Sequence, residues 1–138
     1  MNIVASIQVR MGSSRYPGKV MHEVVGKPLL GHLVARLKQS KLLDGVIVAT
    51  SFKAENNIIE SYCHDNSIAC FRGDEDDVLG RTLSSLKKMN ADIGVEVFGD
   101  CPLIDPAIVD FIINEFLTDN SNPDFVGNDL KTTFPPGM

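Results

Sequence analysis

Positive charge is in short supply: 13 Lys and Arg face 18 Asp and Glu, a net charge of -5 over 138 residues. Nucleic-acid polymers and anionic membranes are gripped by a basic face, so neither is an expected partner and any anion site must be local. Cysteine is scarce as well. Cys63, Cys70 and Cys101 are odd in number and form no C-x-x-C pair, which argues against a disulfide framework or zinc knuckle and reads Cys63 and Cys70 as core. No apolar run approaches a membrane span, and the first residues hold no cation-flanked apolar stretch of the secretory kind, so a cytoplasmic protein is expected. His22, His32 and His64 are scattered, without H-x-E or H-E-x-x-H spacing, so no histidine centre is expected. Internal repeats, low-complexity tracts and linkers are lacking too, which predicts one domain over residues 1–138.

What is present is an ordinary globular balance, 43% apolar and 22% charged, arranged around one stretch near the start. Ile3 to Val9 is β-branched and apolar enough for a buried parallel strand, and the chain then switches to Met-Gly-Ser-Ser-Arg-Tyr-Pro-Gly-Lys. The strand thus delivers Arg10, Arg15 and Lys19 into a turn. Gly12 and Gly18 allow close backbone approach, Ser13 and Ser14 add hydroxyl and amide donors, and the cations suit a polyphosphate. The competing expectation is a solvated basic surface loop. Five residues separate Gly12 from Gly18 and Val20 follows Lys19, so this is not a Walker loop. Gly12 also lacks the partners of a G-x-G-x-x-G dinucleotide fingerprint.

Beyond the loop, helix and strand signals alternate. Pro28 can open a helix carrying Leu29, Leu30, Leu33, Val34 and Leu37, and Gly45 to Thr50 reads as a buried strand. A helix over Ala54 to Asn66 is expected to bury Ile58, Ile59, Tyr62 and Cys63. Ile68 to Phe71 gives a third strand, with Asp74, Asp76 and Asp77 at the start of a helix bearing Val78, Leu79, Leu83 and Leu86. Ile93 to Phe98 is a fourth strand, and Asp105-Pro106 caps a helix with Val109, Ile112, Ile113, Phe116 and Leu117. Four such units predict an α/β fold, an open, mostly parallel sheet with helices on both faces.

Ligands of such sheets sit beyond the carboxyl ends of the strands. Asp100 follows the fourth strand directly, where a carboxylate is costly to bury unless it is paired or metal-bound. A Mg²⁺ ligand is one expectation, since that ion takes few carboxylates and completes its shell with phosphate oxygens and water. A helix cap is the other, although Asp105 fills that role better. Cys101 has no base at recognised spacing and reads as a small residue, and the run Asp74 to Asp77 reads as a solvated helix start.

Three motifs then stand in register: Gln-Val-Arg-Met-Gly-Ser-Ser-Arg-Tyr-Pro-Gly-Lys, Phe-Arg-Gly-Asp-Glu-Asp-Asp-Val-Leu-Gly-Arg and Gly-Asp-Cys-Pro-Leu-Ile-Asp-Pro. Together they resemble the CMP-sugar-acid synthetases, the acylneuraminate and 3-deoxy-manno-octulosonate cytidylyltransferases, and most of all their spore-coat polysaccharide branch. Thr133-Phe134-Pro135 is similar to a motif of that branch. The resemblance implies a Rossmann-like nucleotide-diphospho-sugar transferase fold, CTP and a sugar acid as substrates, pyrophosphate release, Mg²⁺ and a homodimer. It implies triphosphate contacts for Arg10 and Lys19, a surrounding loop of Gly12, Ser13, Ser14 and Arg15, nucleotide-side roles for Arg72 and Arg81, and Mg²⁺ at Asp100. Two positions depart from the pattern: Phe98 replaces a polar residue, and Pro136 replaces an Arg shortly before the sequence stops at Met138. The resemblance therefore implies a domain incomplete at its C-terminal end. A nucleotidyltransferase using another NTP, and a nucleotide-binding or interaction module without turnover, are the alternatives.

Overall fold

The computed structural model describes residues 1–128 together with Phe134, Pro135 and Gly137. Thr133 and Pro136 of the tail motif lie outside the described residues. Strand β1 (Ile3–Gln8) forms from the apolar opening stretch, and a loop leads from it to a 3-10 turn at Lys19–Met21. A small antiparallel ribbon follows, β2 (Glu23–Val24) and β3 (Lys27–Pro28), which the apolar pattern did not signal. Helix α1 (Leu29–Leu37) begins immediately after Pro28, whose fixed φ suits the turn into a helix. Then come β4 (Gly45–Ser51), a 3-10 turn at Ala54–Asn56, α2 (Asn57–Asp65), β5 (Ala69–Gly73), α3 (Val78–Lys88), β6 (Ile93–Phe98) and α4 (Pro106–Thr118). Asp105 accepts from the Ala107 N–H at 2.8 Å ahead of Pro106, the expected cap.

Four strands pair in parallel in the order β5-β4-β1-β6. Side chains alternate across β1, so Ile3, Ala5, Ile7 and Val9 share one face. They pack with Leu30, Leu33 and Leu37 of α1, Ile59 and Cys63 of α2, and Val109 and Ile113 of α4 in one cluster. Ile7, Leu30, Leu33, Leu37 and Ile59 are fully buried, each contributing about 1.5–3 kcal/mol of transfer free energy. The other face lies under α3, so helices flank the sheet on both sides as expected.

The contact between α3 and the sheet is not the expected one. Arg81, Thr82 and Ser85 are the buried residues of α3, whereas Leu79 is 80% exposed and Val78 and Leu83 are about half exposed. The reason is polar pairing. The Ser6 and Ser85 hydroxyls meet at 2.7 Å and Gln8 Nε2 donates to Thr82 Oγ1 at 2.8 Å, so the polar side of the helix is the one with partners on β1. Ile58 is likewise on the solvent side of α2, leaving Ile59 and Cys63 as its buried pair.

Strand order places the site. From β1 the chain moves to β4 and β5 on one side, then returns to lay β6 along the other edge of β1. The strand order therefore reverses at β1, and the carboxyl ends of β1 and β6 lie side by side at the crevice where ligands of such sheets sit.

Candidate functional site

A cavity of about 380 Å³ occupies that crevice. One wall is the segment after β1, including Arg10, Gly12, Ser13, Ser14, Arg15 and Lys19; the other is Phe98, Gly99 and Asp100 after β6. Seven of the nine residues expected from the sequence thus line one cavity, and Arg72 and Arg81 do not.

The first wall is shaped by its backbone. The Gly18 N–H donates to the Met11 carbonyl at 2.9 Å, closing the loop, and Gly18 has a φ of +73°, where a Cβ would be strained. Tyr16 N–H donates to Ser13 Oγ at 3.2 Å, and buried Val20 anchors the 3-10 turn that carries Lys19. Below the loop, Met11 N–H donates to Asn56 Oδ1 at 2.8 Å, and the same fully buried side chain donates through Nδ2 to Ser51 Oγ at 2.7 Å. The second wall stays close to the first because residue 99 is glycine. Its N–H donates to the Gln8 carbonyl at 2.9 Å, and an added Cβ would collide with Val9 and lie 2.8 Å from that carbonyl.

The two walls carry opposite charges. Lys19 Nζ lies 3.6 Å from Asp100 Oδ2, with both side chains partly exposed. Arg15 is exposed and Arg10 points its guanidinium toward Glu75, Nη1 to Oε1 at 3.3 Å. Asp100 does not cap α4, because Asp105 does. Phe98 is 62% exposed on the cavity wall, an apolar surface beside a polar loop. Burial first, then the adjacent Asp100 carboxylate, pushes the Cys101 thiol above its ordinary pKa, which leaves it a poor nucleophile.

Arg72 and Arg81 lie behind this cavity. Arg72 donates to the Ser51 and Lys53 carbonyls at 2.9 Å each, and to Asn57 Oδ1 and Glu60 Oε2 at 2.8 Å each, fixing the turn after β4. Arg81 donates to Gln8 Oε1 at 3.0 Å and to the Asp74 and Glu75 carbonyls, tying the segment after β5 to β1. Arg72 thus uses four of its five N–H donors within the protein and Arg81 three. Sequence reasoning missed Gln8, Asn56, Lys53 and Glu75; Asn56 carried no signal beyond its place in a polar helix start, and Glu75 was hidden within an acidic run.

Among the described residues no group of three or more His, Cys, Asp or Glu is placed to hold a metal ion. Among the described residues the cavity holds one carboxylate, already faced by an ammonium. That donor set fits a hard divalent cation arriving with phosphate oxygens and does not fit a metal held by protein alone. Among the described residues no helix is long and apolar enough to cross a membrane.

A family model described as cytidylyltransferase matches residues 4–134. The Bacillus subtilis spore coat polysaccharide biosynthesis protein SpsF is 34% identical over 92% of this chain and 55% of its own length. A solved cytidylyltransferase from Leptospira borgpetersenii superimposes with a TM-score of 0.87 at 35% identity, covering 99% of this chain and 57% of that one. A solved CMP:2-keto-3-deoxy-manno-octonic acid synthetase complexed with CTP superimposes with a TM-score of 0.73 at 28% identity, covering 86% of this chain and 48% of that one. The chain spans about half the length of the curated relatives it matches.

Proposed function

The chain belongs to the cytidylyltransferase family, and from that premise we propose that it transfers CMP from CTP to a sugar acid in polysaccharide biosynthesis, releasing pyrophosphate. The observation that carries this reading is the crevice between β1 and β6, where Arg10, Arg15, Lys19 and Asp100 line one cavity. In the transfer, an oxygen of the acceptor attacks the α-phosphorus, the bond to the β-phosphate oxygen breaks, and the acceptor proton leaves to solvent. Negative charge builds on the departing pyrophosphate. Arg10 and Lys19 answer that charge, with Arg15 and the amides and hydroxyls of Gly12, Ser13 and Ser14 around it. Asp100 would hold Mg²⁺, which when bound neutralises phosphate oxygens and orients them. Phe98 gives the flat part of the nucleotide an apolar surface to cover. Arg72 and Arg81 act in this proposal by holding the segments behind the cavity.

The same reading takes residues 1–138 as one nucleotidyltransferase domain and includes a homodimer working in the cytoplasm. A second reading, a nucleotide-binding module without turnover, is favoured by there being, among the described residues, one carboxylate in the cavity. Thermal shift with CTP, UTP, GTP and ATP, each with and without Mg²⁺, followed by pyrophosphate release with a panel of sugar acids, separates the two. Stabilisation by CTP–Mg²⁺ together with acceptor-dependent pyrophosphate supports the transferase; stabilisation alone supports the binding module.

A further inference from the structure

We propose that Glu75 is a positioning residue: from behind the cavity its carboxylate aims the Arg10 guanidinium at a bound polyphosphate, while Asn56 fixes the backbone one residue further on. The inference rests on the reading of the cavity as a triphosphate site. Glu75 belongs to the segment after β5 and is absent from the cavity lining, yet its carboxylate touches two cations, Arg10 Nη1 at 3.3 Å and Lys53 Nζ at 3.4 Å.

Exposure distinguishes the partners. The Arg10 side chain is 60% exposed and that of Glu75 only 13%, so the carboxylate is the more enclosed member of the pair. Glu75 is itself tied down through its backbone, since its carbonyl accepts from Arg81 Nη1 at 3.1 Å. Its Oε2 is buried. A carboxylate placed so would shed its charge unless neighbours favoured the ionised form. They do: the nearby Ser51 hydroxyl foremost, then, against the pull of burial, Arg10 and Lys53 hold the carboxyl below the usual carboxylate range. Ser51 also accepts from Asn56 Nδ2, whose Oδ1 holds the Met11 N–H. One buried hydroxyl thus stands between the group that holds the loop backbone and the group that aims the loop's first cation. Restricting a long Arg side chain before the ligand arrives removes an ordering cost from binding.

The test is a double-mutant cycle by calorimetry on wild type, Glu75→Gln, Arg10→Ala and the double variant, each titrated with inorganic tripolyphosphate, CTP–Mg²⁺ and CMP. Glu75→Gln should weaken tripolyphosphate and CTP binding about tenfold, leave CMP within about twofold, and change nothing once Arg10 is Ala. Glu75→Asp keeps the charge and should recover part of the loss. An effect of equal size in the Arg10→Ala background, equal weakening for CMP, or no recovery by Asp would reduce Glu75 to a structural residue and overturn the proposal. Tighter tripolyphosphate binding by Glu75→Gln would also overturn it, showing that Glu75 withholds Arg10 instead of aiming it. Polyphosphate binding with the cycle as expected but no preference for CTP would sink the cytidylyl reading and keep this one, whereas a wild type that binds no polyphosphate overturns both.

Discussion

Lys19 and Asp100 meet 3.6 Å apart although they leave different strands, Lys19 from the loop after β1 and Asp100 from the turn after β6. Both are partly exposed, so the pair itself contributes little to stability. Its value is local: an ammonium and a carboxylate wait side by side where a phosphate and its cation would each find an opposite charge.

The cations are expected to read phosphate number. Arg10→Ala and Lys19→Ala should each weaken CTP binding by about 1.5–3 kcal/mol and CMP binding far less, because the lost charge-assisted bonds belong to the outer phosphates. Calorimetry with both nucleotides decides it, and equal losses would put these side chains elsewhere.

Asp100→Asn should remove the Mg²⁺ dependence of CTP binding while leaving the thermal midpoint of the free protein within a few degrees. The amide keeps the shape and loses the charge that a hard cation needs. CTP titrations with and without Mg²⁺ check it; a variant that still responds normally to the ion would remove Asp100 from the metal site.

Phe98→Ala should behave opposite to the cation variants. An exposed aromatic wall acts on the part of the nucleotide common to CMP and CTP, so both should weaken alike, by about 1–2 kcal/mol. Selective loss of CTP in calorimetry would contradict this.

Asp110 supplies a pH prediction away from the cavity. It accepts from Ser40 Oγ at 2.5 Å and from the N–H groups of Lys41 and Leu42, each within 3.1 Å. Burial opposes its charge, but those bonds and the Lys41 cation outweigh it and hold the carboxyl below the usual value. A depressed folded pKa stabilises above the unfolded carboxylate value, about 3.9, and that contribution fades as pH falls through the folded value. Asp110→Asn should therefore lower stability by about 1–2 kcal/mol at pH 7. In urea unfolding the gap to wild type should narrow below about pH 4, and a gap constant from pH 7 to pH 2.5 would rule out the ionised carboxylate as its source.

Where burial follows hydrophobicity, the sequence was readable. Leu30, Leu33 and Leu37 of α1, the β-branched run of β4 and the Asp105-Pro106 start of α4 each stand where pattern and capping chemistry put them. The face of α3 was not readable, because Ser6, Gln8, Thr82 and Ser85 satisfy one another across the sheet and no count of apolar spacing registers such pairs. The site divides in the same way. The loop residues and Asp100 declare themselves by type and by their place after a strand, and they line one cavity. Asn56 and Glu75 look like any polar helix start until the fold brings residues 45 and 65 positions away against them.

The position of β1 has a consequence in time. It precedes the other three strands of its sheet in the sequence, yet it hydrogen-bonds to β4 on one side and β6 on the other, the latter ending at Phe98. Its β4 edge can close once residue 51 is made, but the edge that β6 covers stays open until residue 98. The loop after β1 waits with it, since Asn56, Glu75 and Asp100 are added in that order. A nascent chain stalled before residue 93 should thus leave β1 without β6 and the cavity without its second wall.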